Sequence, residues 1–239
     1  MILPEMAYQG LRLTHGDCLS ALGRIPDSSF NLILTDPPYG MDFQSGRVAK
    51  AARRPKIAND LRPFTEWLPE AAAKLQFGGC AIIFCRWDSW DEFCAATEAA
   101  GLTVKNQIVW DKLNHSTGDL KGSPGARHEL AIFATKGRFI FPGKRPQTLG
   151  AFKKVTGRKL AHPNEKPVDL MAWLVEHYSP SGGAVLDCFM GVAPVGVACR
   201  QLGRQYHGIE LAPDYYSIAA ERVFGNNLFQ AVATGRGTL

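Results

Sequence analysis

Four apolar runs in this chain carry an acid at or near their end, and that repetition constrains the fold more than any other feature. They are "LRLTHGD" (Leu11–Asp17), "FNLILTD" (Phe30–Asp36), "AVLDCF" (Ala184–Phe189, with Asp187 inside it) and "QYHGIEL" (Gln205–Leu211, with Glu210). Three more runs, "CAIIFCR" (Cys80–Arg86), "VKNQIVWD" (Val104–Asp111) and "ELAIFAT" (Glu129–Thr135), bring the expected strands to seven. Short apolar runs alternating with amphipathic stretches describe an α/β chain. In an open parallel sheet ligands bind beyond the carboxyl ends of the strands. Acids gathered at those ends mark a site. Helix N-capping explains any one of them, and less comfortably all four.

Helical character falls between the runs. Arg62–Gln76 predicts a helix, with Asp60 as N-cap and Gly78-Gly79 as its stop. A second stretch, "DSWDEFCAATEAAG", ends at Gly101, and "KPVDLMAWLVEHY" places Val168, Met171, Leu174 and Val175 at helical spacing. "APVGVACRQLG" and "PDYYSIAAERVFG" predict two more helices. Residues 40–58 and about 138–163 fit neither period and read as excursions from one domain spanning 1–239.

Both excursions are basic. In the first, "GRVAKAARRPK" carries Arg47, Lys50, Arg53, Arg54 and Lys56, in the second "GKRPQTLGAFKKVTGRK" carries Lys144, Arg145, Lys153, Lys154, Arg158 and Lys159, and neither of these stretches contains an acid. Such segments suit a polyanion such as nucleic acid, although two solvated loops would look the same. The net charge of +5 is modest and says little about fold. No apolar stretch reaches the roughly 18 residues that a membrane span needs. "MILPEMAYQG" lacks the basic and apolar regions of a signal peptide, so a cytoplasmic protein is expected. The six cysteines form no C-x-x-C pair, which favours buried free thiols over zinc.

The chemistry concentrates in two places. At "TDPPYG", Asp36 is followed by Pro37 and Pro38, which have no N–H to donate. A carboxylate beside free carbonyls makes an acceptor-only corner, suited to holding an amino group by its two hydrogens. Tyr39 adds a flat face for stacking. In "VLDCFMGVAPVGVACRQLGR", a glycine turn at Gly191 lies about twenty residues before Glu210, the arrangement that binds a nucleoside through its ribose hydroxyls. The turn is poor in glycine for a pyrophosphate, a demand that a nucleoside without phosphates does not make.

Together these segments resemble the S-adenosylmethionine-dependent amino DNA methyltransferases. "TDPPYG" looks like their catalytic motif, "DCFMGV" like their cofactor loop, and "LTHGDCLSAL" and "HELAIFATKG" like two further segments. "HPNEKPVDLMAWLVEHYSPSGGAVLD" is similar to the H-P-x-x-K-P segment of the beta subgroup, in which the catalytic half precedes the cofactor half, as it does here. The resemblance runs from about Leu11 to Val223. It implies a Rossmann-like methyltransferase sheet of about seven strands with helices on both faces and a circularly permuted motif order. It implies methyl transfer to the N6 amine of an adenine flipped out of double-stranded DNA. Asp36 and the Pro37 carbonyl would accept from the amine at the Asp36-Pro37-Pro38-Tyr39 corner, and Tyr39 would stack on the base. Asp17, Lys166, Pro167, Asp187, Phe189, Gly191 and Glu210 would surround the cofactor. Arg47, Arg53, Arg54, Lys144, Arg145, Lys153, Lys154 and Arg158 would meet DNA, with 138–161 as a small target-recognition segment and 40–60 as a flexible basic loop. Family members often pair, so a homodimer is also implied. This chain has Ala193, Pro194 and Val195 where the family usually has a second glycine and threonines, and Cys188 where it has proline. Two rival readings stay open: transfer to the N4 amine of cytosine, and a non-catalytic DNA-binding relative.

Overall fold

The computed structural model describes residues 5–40, 62–115, 121–155 and 165–225. Their strands are β1 (Glu5–Tyr8), β2 (Leu11–His15), β3 (Phe30–Thr35), β4 (Leu75–Cys85), β5 (Thr103–Asp111), β6 (His128–Thr135), β7 (Leu149–Ala151), β8 (Ala184–Asp187) and β9 (Gln205–Glu210). The helices are α1 (Cys18–Leu22), α2 (Leu68–Lys74), α3 (Trp90–Ala99), α4 (Val168–Tyr178), α5 (Pro194–Leu202) and α6 (Pro213–Phe224). One mixed sheet holds all the strands in the order β1-β2-β9-β8-β3-β4-β6-β5-β7. The chain is a Rossmann-like α/β protein.

The strand period of two sorts side chains between two cores. Leu32 and Leu34 of β3, with Cys80, Ile82 and Phe84 of β4, face α4, α5 and α6. Ile33, Ala81, Ile83 and Cys85 face the layer that contains α1, α2 and α3. Helix α4 shows why its sequence folds as it does: Leu170, Met171, Leu174, Val175 and Tyr178 are buried on one stripe. Burying each large aliphatic side chain there stabilises the fold by roughly 1.5–3 kcal/mol. Pro194 and Pro213 open α5 and α6, where a missing N–H costs nothing.

All seven expected strands are present, and β1 and β7 lengthen the sheet at its two edges. β7 falls inside the stretch expected to be all loop. The expected helix over 62–76 is shorter, and Gly78-Gly79 are not its stop. Leu75 already pairs with Phe30, so the strand begins directly at the helix end and runs through both glycines. A Cβ on Gly79 would stand 2.9 Å from the Asn31 carbonyl oxygen, so the early pairing needs that glycine. Asp60 lies outside the described residues. Five-residue α1 was not expected, and Asp17 caps it by accepting from Ser20 N at 2.9 Å.

Strand direction decides where chemistry can gather. β2, β9, β8, β3, β4, β5 and β7 all run the same way, while β1 and β6 run against them. The carboxyl ends of the parallel strands therefore share one edge with the amino end of β6. Cys85 of β4 pairs with Leu130 of β6, which places Glu129 at that edge.

Candidate active site

The Asp36 corner is clamped from one side by residues 62–64. Phe64 N donates to the Pro38 carbonyl at 3.2 Å, and Tyr39 bridges to Pro63. Gly40 has φ +82, and a Cβ there would lie 2.6 Å from the Arg62 backbone. Glycine is required for the chain to leave the corner this way. Pro37 is buried, and Asp36, Pro38 and Tyr39 are half-buried.

The corner is not acceptor-only, as the sequence suggested. Lys166 donates to Asp36 Oδ2 and lies 3.4 Å from the Tyr39 hydroxyl. Its Nζ is 3.3 Å from Glu129 Oε2 and 5.0 Å from the centre of the Phe84 ring. Lys112 reaches the other Glu129 oxygen at 3.5 Å. Four side chains thus alternate in charge: Asp36, Lys166, Glu129 and Lys112. Asp36 Oδ1 remains buried with no hydrogen-bond partner among the described residues. Burial pushes the Asp36 carboxyl up to about 6, against the pull of Lys166. Burial also works to raise Glu129, but Lys166 and Lys112 outweigh it and hold Glu129 below its ordinary value. For Lys166 burial favours the neutral form, and the two carboxylates overcome it and raise the ammonium.

Lys166 was expected beside the cofactor, and its ammonium lies on Asp36. The reason is the placement of α4, whose N-cap is the buried Pro167. Glu165, just before it, lies 2.8 Å from Arg222 of α6. Held at both ends, Lys166 points across β3 and β4. Glu129 is a site residue that sequence reasoning missed. Its signal was an acid at the first turn inward of an otherwise apolar strand.

The second half of the site adjoins the first through Thr35 and Asp187. Thr35 Oγ1 donates to Asp187 Oδ1 at 2.9 Å and accepts from Phe189 N at 3.2 Å. Tyr206 OH donates to the other Asp187 oxygen at 3.3 Å. Asp187 is therefore turned inward and almost wholly buried, with its carboxyl pushed up to about 7 by that burial. It ties the loop to β3. Phe189 packs edge-on against Phe64 and Trp67.

Glu210 binds the glycine turn from β9. Its Oε2 accepts from Gly191 N at 2.9 Å and its Oε1 from Ala212 N at 2.7 Å. Burial raises its pKa above the ordinary value, and these backbone donors work the other way. Gly16 N donates to the Glu210 carbonyl at 2.8 Å, bringing Asp17 to the same edge. Asp17 serves there as the cap of α1, so local capping accounts for this acid. Gly191 has φ +52, and no atom lies within 4 Å of where its Cβ would stand. The turn is open on that side. Ala193 also adopts the left-handed conformation, φ 53 and ψ 51, while fully buried. The loop thus keeps at Ala193 a backbone shape that glycine adopts without strain. Gly196 lets α5 approach β9, since a Cβ there would stand 2.7 Å from the Tyr206 ring.

The family model described as a DNA methylase, of N6/N4 type, matches residues 30–149 and 146–221, well over half of the chain. The chain belongs to the N6/N4 DNA methylase family. The methylase is 34% identical over 219 residues to the putative methylase YubD of Escherichia coli (strain K12), covering 89% of each chain. It is similar to the crystal structure of the M1.HpyAVI–SAM complex, with a TM-score of 0.70, 25% identity, and 88% and 98% of the two chains covered. PvuII DNA methyltransferase, described as cytosine-N4-specific, shares the fold at a TM-score of 0.71 and 14% identity, covering 93% and 92%.

The methylase's basic residues divide by position. Lys153 and Lys154 follow β7 at the catalytic edge, where Phe152 N donates to the Asp111 carbonyl at 3.0 Å. Lys153 is exposed and Lys154 half-buried. Lys144 and Arg145 are exposed in the connection that leaves β6 from the opposite edge. Arg47, Arg53, Arg54 and Arg158 lie outside the described residues. All six cysteines are free, five of them buried, and no helix among the described residues is long and apolar enough to cross a membrane.

Proposed function

We propose that this methylase transfers a methyl group to the exocyclic N6 amine of an adenine drawn out of double-stranded DNA, in the manner of the beta subgroup. The observation that carries it is the divided Asp36 carboxylate. Lys166 takes Oδ2, and Oδ1 is left buried as an unpartnered acceptor beside Pro37. S-adenosylmethionine is the cofactor and, when bound, supplies a methyl group already activated on a sulfonium.

The donors at the second half fit a nucleoside. Each Glu210 oxygen accepts one backbone N–H and keeps a lone pair for a ribose hydroxyl. Gly191 offers open backbone beside it, and Phe189 an aromatic wall.

An exocyclic amine is a poor nucleophile because its lone pair is delocalised into the ring. Asp36 Oδ1 and the Pro37 carbonyl accept its two hydrogens and localise that pair on nitrogen. Glu210, Gly191 and Phe189 would hold the cofactor, whose sulfonium would supply the methyl group to that nitrogen and keep the electron pair of the broken bond. The nitrogen becomes cationic and gives a proton to Asp36, whose pKa of about 6 suits both holding and releasing it. Positioning does most of the work, since placement of two reactants can supply roughly 7–11 kcal/mol. Extruding the base costs a few kcal/mol, offset in part by stacking on Tyr39. Lys144, Arg145, Lys153 and Lys154 hold phosphates, which position the duplex without reading its sequence.

The test is transfer of labelled methyl to unmethylated duplex DNA, followed by nucleoside analysis. N6-methyladenine made by the wild type, and none by Asp36→Ala with cofactor binding retained, is expected. N4-methylcytosine would move the target to cytosine. Full turnover by Asp36→Ala would overturn the acceptor mechanism.

A further inference from the structure

The methylase has five tryptophans, and one is treated differently from the rest. Trp67 and Trp110 are buried, and Trp90 and Trp173 are half-buried. Trp87 is 76% exposed. Its indole meets no aromatic ring and no hydrogen-bond partner among the described residues. Leaving so large an apolar face in water gives folding nothing.

The backbone under Trp87 is nevertheless held firmly. Four residues, 86–89, join β4 to α3. Ser89 donates to the Arg86 carbonyl through both its N–H and its hydroxyl, each at 3.3 Å. Arg86 pairs with Asp88 at 2.5 Å across the tryptophan. A ring on a rigid base loses little conformational freedom when it meets a partner.

Its position is the second observation. Thr35 of β3 pairs with Ile83 of β4, so Asp36 stands level with Phe84 and Trp87 lies three residues further out. β4 ends at Cys85, so Trp87 stands in the turn just past the carboxyl edge. Lys153 and Lys154 follow β7 at the same edge of the sheet, and Leu113, 45% exposed, lies two residues past the end of β5. An exposed aromatic beside a site that takes in a single base has the features of a stacking platform.

Building on methyl transfer to an extruded base, we propose that Trp87 stacks on the DNA bases left exposed when the target leaves the duplex, and so stabilises the extruded state. Trp87 is a positioning residue: it touches DNA and not the reacting amine.

The test compares wild type, Trp87→Ala and Trp87→Phe on two duplexes, one with the target normally paired and one with it mispaired. Mispairing reduces the work of extrusion. Trp87→Ala is expected to lose about tenfold or more in kcat/KM on the paired duplex. It should recover most of that on the mispaired one, with melting temperature and cofactor affinity unchanged. Trp87→Phe should keep most activity on both. Wild-type rates for Trp87→Ala on both duplexes, or an equal loss on both, would overturn the proposal. If the wild type methylates neither duplex, the methyl-transfer reading itself fails, and the role of Trp87 falls with it.

Discussion

Lys166 donates a hydrogen bond to Asp36 from 130 residues further along the chain. One oxygen of the carboxylate is thereby fixed and the other is left buried and free to accept. Burial alone would push this carboxyl higher still. The lysine keeps it in the range where it can be ionised and still take a proton.

The pH dependence of methyl transfer follows from Asp36. Burial raises its carboxyl to about 6, and the ionised form is the one that accepts the amine. Activity is expected to fall as pH drops through about 6, approaching a tenfold loss per pH unit. A rate profile at saturating cofactor checks it, and a flat profile through that region would count against Asp36 as the acceptor.

The two neighbours of Asp36 should move that profile in opposite directions. Lys166 lowers the Asp36 pKa and Glu129 raises it. Lys166→Met should shift the acidic limb to higher pH, and Glu129→Gln should shift it to lower pH. Shifts of the same sign in the two variants would show that the charge chain is not what sets Asp36.

Asp187 makes a prediction about stability. Its folded-state pKa, about 7, lies above its ordinary 3.8. Between those values the folded protein holds a proton that the unfolded chain has released. Its stabilisation is complete below the lower value and is lost as pH rises through the higher, by about 1.4 kcal/mol per pH unit. Asp187→Asn keeps the acceptor for Thr35 and Phe189 and removes the titration. Urea unfolding across this pH window should show a shallower slope in the variant, and equal slopes would refute the assignment.

Gly40→Ala should damage catalysis more than folding. The added Cβ would stand 2.6 Å from the Arg62 backbone at a φ of +82, forcing the Asp36 corner to shift. A misplacement of about 1 Å can cost about a hundredfold in rate. Loss of at least tenfold in kcat with a melting temperature near wild type is expected, and an unchanged kcat would show that the corner tolerates the shift.

The elements that were legible in the sequence are those with strong period and sufficient length. Leu32, Ile33 and Leu34 could belong only to a buried strand, and Leu170 to Tyr178 only to an amphipathic helix. β1 and β7 were missed because edge strands of four and three residues have no pattern to detect. Helix α2 was drawn too long because the glycines at 78 and 79 read as a stop, whereas close packing on Asn31 is what requires the second of them. Within the site, Asp36 and Tyr39 were legible because two prolines isolate them. Lys166 was assigned to the cofactor half through the resemblance of its H-P-x-x-K-P segment, and the sequence does not show that its ammonium also meets Asp36. Glu129 became visible through pairing, as it reaches Lys166, 37 positions further along the chain, only once β6 is laid beside β4.

The reversed direction of β6 has a consequence for how such a chain can diversify. Because β6 enters the catalytic edge with Glu129 and leaves from the far edge, the stretch from Lys136 to Thr148 is a detour whose length does not set the spacing of Asp36, Lys166 and Glu129. Phe139 and Phe141 anchor that detour against Phe133 and Tyr178, so exchange falls on exposed positions such as Lys144 and Arg145 while the charge chain stays in register.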